Sequence, residues 1–188
     1  MDQTLRNMGT DYLDLWQIHD VRTEADFETI AGPGGALEAF MEAKAKGKVR
    51  WIGLTGHHDP QILTRAVTAW PIDSVLIPVN PVEAILGGFL TATLAAAQQK
   101  GVAVVGMKVL EASHYILPQS GISAEQLIRF ALSQPITLAI VGCSTPEEVK
   151  TLSGIGRRFE PLSPEEQKEI LELFSPYARR LAFYRGVI

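Results

Sequence analysis

The residues best suited to chemistry are three histidines, a lysine and a small polar loop. His57 and His58 are adjacent, and His19 closes the run Leu13-Asp14-Leu15-Trp16-Gln17-Ile18-His19. An imidazole can carry a proton near neutral pH or hold a metal through a ring nitrogen. His19 with His57 and His58 invites a metal reading. Adjacent histidines rarely aim at one centre, however, and no cysteine or convergent carboxylate completes a tetrahedral set, so no metal is expected. Asp20 reads as a loop or capping residue. Lys108 ends a buried apolar run and needs either a counter-ion or a route to solvent. Glu111 or a phosphate would serve. Gly142-Cys143-Ser144-Thr145 precedes a helix start, where free N–H groups and the helix dipole attract anions and a glycine admits them to the backbone. Helix capping by Thr145 is compatible with that role.

These residues sit at the ends of short apolar segments that read as strands. The segments begin near residues 13, 49, 74, 102 and 138 and are rich in β-branched residues, as in a parallel sheet covered on both faces. Pro78 weakens the third, since proline offers no N–H to a ladder. One helix is expected in each gap. Ala36 to Lys46 is stopped by Gly47, and Asp59-Pro60 opens a helix to Ala69. A further helix runs from Leu90 to Lys100, and another opens at Ser123. Thr145-Pro146-Glu147-Glu148 and Ser163-Pro164-Glu165-Glu166 are capping boxes. Gly32-Pro33-Gly34-Gly35 is a loop leading into a helix; it lacks the Lys-Ser/Thr of a phosphate loop. No linker interrupts residues 1–188, so a single domain is expected. Spacing alone leaves two architectures open, a complete doubly wound sheet or part of an eight-stranded barrel.

Composition narrows the partners. The formal charge of −4 argues against nucleic acid and anionic membranes, which select basic surfaces. One cysteine, Cys143, excludes an internal disulfide. No apolar run reaches the roughly 18 residues of a membrane span, and the N-terminus has no signal-like region. A cytoplasmic location is expected.

Five segments, in order, resemble the aldo/keto reductase family. Leu5 to Asp20 is similar to the segment entering that family's fourth strand, and Gly47 to Thr55 to its fifth strand. Asn80-Pro81 resembles the pair after the sixth, Gly101 to Lys108 the seventh, and Ile140 to Glu148 the eighth with its cofactor-phosphate loop. The resemblance implies an α/β fold, a partial (β/α)8 TIM-type barrel of about five parallel strands with alternating helices. It implies an oxidoreductase that passes hydride between NADP or NAD and a small carbonyl or alcohol.

Residue by residue, the resemblance makes His19 the group that orients the substrate carbonyl. It assigns Thr55 and His57 to the nicotinamide loop, with Gly56 where the family has an asparagine. Met107 packs on the nicotinamide ring, and Lys108, Gly142, Ser144 and Thr145 hold the cofactor phosphates. Thr145 stands where some members carry an arginine that pairs with the 2′-phosphate, which leaves NADP and NAD both open. The family's catalytic Asp, Tyr and Lys map before residue 1, so the chain is expected to be truncated and inactive alone. Tyr12, Tyr115, Tyr177 and Tyr184 have no evident lysine neighbour to make one of them an acid. The rival expectation is a non-catalytic dinucleotide-binding or assembly module. Its exposed strand edges, Leu13 to His19 and Leu138 to Val141, would favour self-association.

Overall fold

A computed structural model of the chain describes residues 1–185. Five strands form one parallel sheet: β1 (Leu13–Ile18), β2 (Val49–Thr55), β3 (Ser74–Pro78), β4 (Ala103–Met107) and β5 (Leu138–Ala139). Each strand lies beside its predecessor, in the order β1-β2-β3-β4-β5. A doubly wound sheet reverses direction at a switch point, whereas a barrel adds strands in sequence. The sheet is therefore an arc of a (β/α)8 barrel. Pro78 is tolerated because it is the last residue of β3, paired in register with Met107.

The helices cover one face. Trp16 of β1 stacks on Phe40 of α3 (Ala36–Ala45) with ring centroids 3.6 Å apart. Ile52, Leu54, Val75, Ile77 and Val104 join the same core. Strand residues alternate between faces, so Leu15 and Trp51 point the other way. They are 38% and 56% exposed, and Leu138 and Ile140 at the far edge are 46% and 55% exposed, so the concave face is not covered by the described residues.

Two expectations about helices need correction. The β1–β2 gap holds two helices, α2 (Glu24–Ala31) as well as α3, and α1 (Asp2–Met8) precedes β1. After α4 (Pro60–Ala69) and β3, the Leu90 to Lys100 stretch is not one helix. Asn80 caps a short α5 (Pro81–Leu86), Gly87 and Gly88 take positive φ, a π-turn covers Phe89–Thr93, and α6 spans Leu94–Lys100.

The later helices begin where their caps predict. Ser123 caps α7 (Ala124–Leu132), Thr145 caps α8 (Pro146–Arg157) and Ser163 caps α9 (Pro164–Phe174), each with a complete capping box. Tyr115, Ile122, Leu127, Phe130, Ile170, Phe174 and Tyr184 build a second apolar cluster under the C-terminal segment, which includes α10 (Ala178–Leu181). That segment returns over the sheet's C-terminal end, where barrel active sites assemble.

Candidate active site

Every residue singled out for chemistry lies at or just beyond the C-terminal ends of the strands. His19 follows β1 directly and is exposed. Asp20 takes a left-handed backbone, φ 59°, and its N–H donates to Thr55 Oγ1 at 2.7 Å. Thr55, last in β2, is only 5% exposed, so its hydroxyl is committed to holding the β1 loop. Gly56 sits in a tight corner: a Cβ there would lie 2.9 Å from Leu63 Cδ1 and 3.0 Å from the Val21 carbonyl.

The two adjacent imidazoles and a carboxylate do converge. His57 and His58 have ring centroids 4.5 Å apart, and both Nε2 atoms face Asp20. Their Nδ1 atoms lie 3.0 and 3.2 Å from the carbonyls of Tyr184 and Arg185. The Asp20 side chain is 5% exposed and supplies the convergent carboxylate that sequence reading assigned to a loop or cap. Burial holds the His57 imidazolium below its ordinary 6.5, against the Tyr184 carbonyl and Asp20, which favour it.

On the other side, a cleft of about 590 Å3 joins Lys108 to Gly142 and Ser144. Met107, half-buried, ends β4 beside it. Lys108 adopts φ 54° and lies 3.4 Å from Glu111 Oε1, one of the two partners expected for it. Nothing stands within 4 Å of a Cβ at Gly142, so the backbone is approachable. The N–H groups of Ser144 and Thr145 donate to Glu148 Oε2, at 2.5 and 3.3 Å. These are the contacts of the capping box that opens α8, formed by the protein's own carboxylate.

Tyrosine placement brings one further correction. Lys108 Nζ lies 4.9 Å from the centre of the Tyr184 ring, so that tyrosine does have a lysine neighbour. The contact does not make it an acid. Tyr184 Oη donates to Glu83 at 2.5 Å, and burial, then the Glu83 charge, drives its pKa upwards. Tyr115 Oη donates to the Leu181 carbonyl at 3.0 Å and is shifted upwards by burial as well.

Sequence reading missed this Glu83 cluster. Glu83 is fully buried, paired with Arg185 and accepting from Tyr184, while Asn80 Nδ2 donates to the Lys108 carbonyl at 3.1 Å. Asn80-Pro81 marked the helix start, but nothing local reveals partners about a hundred residues away.

A singly wound parallel arc with its polar residues gathered at the strands' C-terminal ends defines a segment of a (β/α)8 barrel. Residues 1–115 match the sequence pattern of the aldo/keto reductase family, and the chain belongs to that family. It is 32% identical over 81 residues to the Schizosaccharomyces pombe aldo-keto reductase yakc [NADP(+)]. That match covers 43% of this chain and 22% of the yeast protein. It is 36% identical over 61 residues to the uncharacterized oxidoreductase YcsN of Bacillus subtilis, covering 32% of this chain and 18% of that one. Among solved structures, the fold is similar to the holo form of aldo-keto reductase AKR11C1 from Bacillus halodurans, with TM-score 0.70 and 22% identity. It is also similar to a Klebsiella pneumoniae aldo-keto reductase in complex with NADPH, with TM-score 0.69 and 21% identity. Both alignments cover 92% of this chain, and 64% and 62% respectively of the solved chains. The chain thus spans less than two thirds of those structures, and the matched stretches less than a quarter of the curated relatives.

Proposed function

We propose that this chain is the cofactor-phosphate and carbonyl-orienting portion of an NAD(P)-dependent aldo/keto reductase. The observation that carries the reading is the β5–α8 cradle, which already binds an oxyanion through the Ser144 and Thr145 N–H groups. Glu148 stands in for a phosphate there, and its exposed side chain can leave to solvent. Gly142, Ser144 and Thr145 would hold the dinucleotide phosphates. Lys108 would turn from Glu111 to help them, and Met107 would border the nicotinamide. The bound cofactor supplies hydride to a carbonyl carbon. His19, exposed at the end of β1, orients the carbonyl oxygen.

Three of the four tyrosines are unsuited to the part of general acid. Tyr115 and Tyr184 are buried and committed to other acceptors, and Tyr12 precedes β1, at the opposite end of the sheet. We therefore assign the acid to a segment that these residues do not include, so the chain by itself binds cofactor but does not turn over. The exposed Leu15, Trp51, Leu138 and Ile140 also favour a second reading, in which the concave face assembles with another polypeptide and binds dinucleotide without catalysis.

Carbonyl reduction by the purified chain, alone and mixed with the first three βα units of a family member, tests the proposal. NADPH binding without turnover, with turnover restored by the added units, is the expected result. Robust turnover by the chain alone contradicts it. Binding with no restoration supports the second reading.

A further inference from the structure

We propose that Asp20, His57 and His58 form a divalent transition-metal site of the kind zinc occupies, at the rim of the sheet beside β1 and β2. One ligand atom from each residue comes within 4.8 Å of the other two. Asp20 Oδ1 lies 3.5 Å from His57 Nε2, and Asp20 Oδ2 lies 4.0 Å from His58 Nε2. These separations are too long for good hydrogen bonds. The Oδ1–His57 separation is close to what one ion requires, since donors about 2.0–2.1 Å from a tetrahedral centre stand about 3.4 Å apart, and the longer His58 approach, to the other carboxylate oxygen, would close by a small side-chain rotation.

The ring orientation carries the argument further. A backbone carbonyl can only accept, so Nδ1 of His57, facing the Tyr184 carbonyl at 3.0 Å, carries the proton. The same holds for His58 against the Arg185 carbonyl at 3.2 Å. In the neutral imidazole this leaves each Nε2 with a lone pair, and both lone pairs face Asp20. Ligating histidines are typically oriented in this way, by a second-nitrogen hydrogen bond to a carbonyl. Asp20 Oδ1 is buried and has no hydrogen-bond partner, although its side chain is only 5% exposed. Two lone pairs and an orphan carboxylate oxygen make an electron-rich pocket that a bound cation would stabilise, in competition with protonation of an imidazole, and Arg22 already pairs with the other carboxylate oxygen. Arg22 Nε donates to Oδ2 at 2.6 Å, which anchors the carboxylate and leaves Oδ1 for the ion.

Two imidazoles and one carboxylate suit zinc, iron or cobalt better than calcium or magnesium, which prefer all-oxygen sets. Solvent would complete the coordination. This inference stands on ligand geometry and does not rest on the reductase reading.

The test uses the 188-residue chain without a histidine tag, stripped by chelator and titrated with Zn2+ against a chromophoric competitor. Saturable binding of one ion per chain is expected. His58→Gln and Asp20→Asn should each weaken it by about 100-fold or more, because losing an outer-shell partner alone costs 10–100-fold. His114→Gln, which alters a histidine outside the cluster, should leave it unchanged. Circular dichroism of the metal-free variants checks folding. In the unaltered chain, Zn2+ should shift the imidazole NMR signals of His57 and His58 and spare His19 and His114. Co2+ should give tetrahedral ligand-field bands without thiolate charge transfer. No saturable binding, binding indifferent to both ligand substitutions, or shifts confined to His19 and His114 would overturn the proposal.

Discussion

At the scale of single residues, two carboxylates define opposite problems. Glu83 is buried and neutralised by Arg185, with Arg185 Nε 3.1 Å from Oε1. Arg185→Met would strand that charge, and breaking such a buried pair costs about 3–5 kcal/mol. Urea unfolding should show that loss, and adding Glu83→Gln should recover part of it. A midpoint unchanged by Arg185→Met would mean that the C-terminal segment is not docked as described. Glu148, by contrast, is exposed and competes with any incoming phosphate for the Ser144 and Thr145 N–H groups. Glu148→Gln removes the charge while keeping a capping-box side chain. It should tighten NADPH binding by roughly 3- to 10-fold, with stability held within about 0.5 kcal/mol. Quenching of protein fluorescence by the dinucleotide reads this directly, and weaker binding would place the phosphate elsewhere.

At the scale of elements, the β2–α4 corner sets the geometry of His57 and His58. Gly56→Ala would press a methyl group against Leu63 and the Val21 carbonyl. Overpacking of this kind costs about 1–3 kcal/mol, measurable as a lowered melting temperature. The C-terminal segment and the loop after β4 contribute Tyr184 and Tyr115, whose phenol pKa values burial raises above the ordinary 10.0. Such a shift stabilises the fold fully below pH 10, and the contribution is lost as pH rises past that value. Alkaline titration followed by tyrosinate absorbance should therefore show two phenols ionising only as the chain unfolds. The strands were readable because each is a short apolar run, and all five begin within about a residue of the expected position. The α2 helix was not, because its capping box uses Asp26 where the usual signature has Glu or Gln. The π-turn at Phe89–Thr93 was hidden because its sequence is helix-like, and only Gly87 and Gly88 mark the break.

For the molecule as a whole, sequential strand order was the property that spacing could not decide and the family motifs could. It also explains which parts of the site were legible. Gly142, Ser144, Thr145 and Lys108 carry local signatures: a cap, a helix start and a charge at a strand end. The convergence of Asp20 with His57 and His58 arises only when β1 and β2 pair in parallel and carbonyls 127 positions along the chain fix the rings. The central claim is that the β5–α8 end of the sheet holds the phosphates of a nicotinamide dinucleotide. Backbone-amide NMR during titration with NADPH tests it most directly. The account predicts that the largest shifts fall on Gly142, Ser144, Thr145 and Lys108, with Glu148 released from the cap. Shifts absent from those amides at saturating NADPH would contradict it.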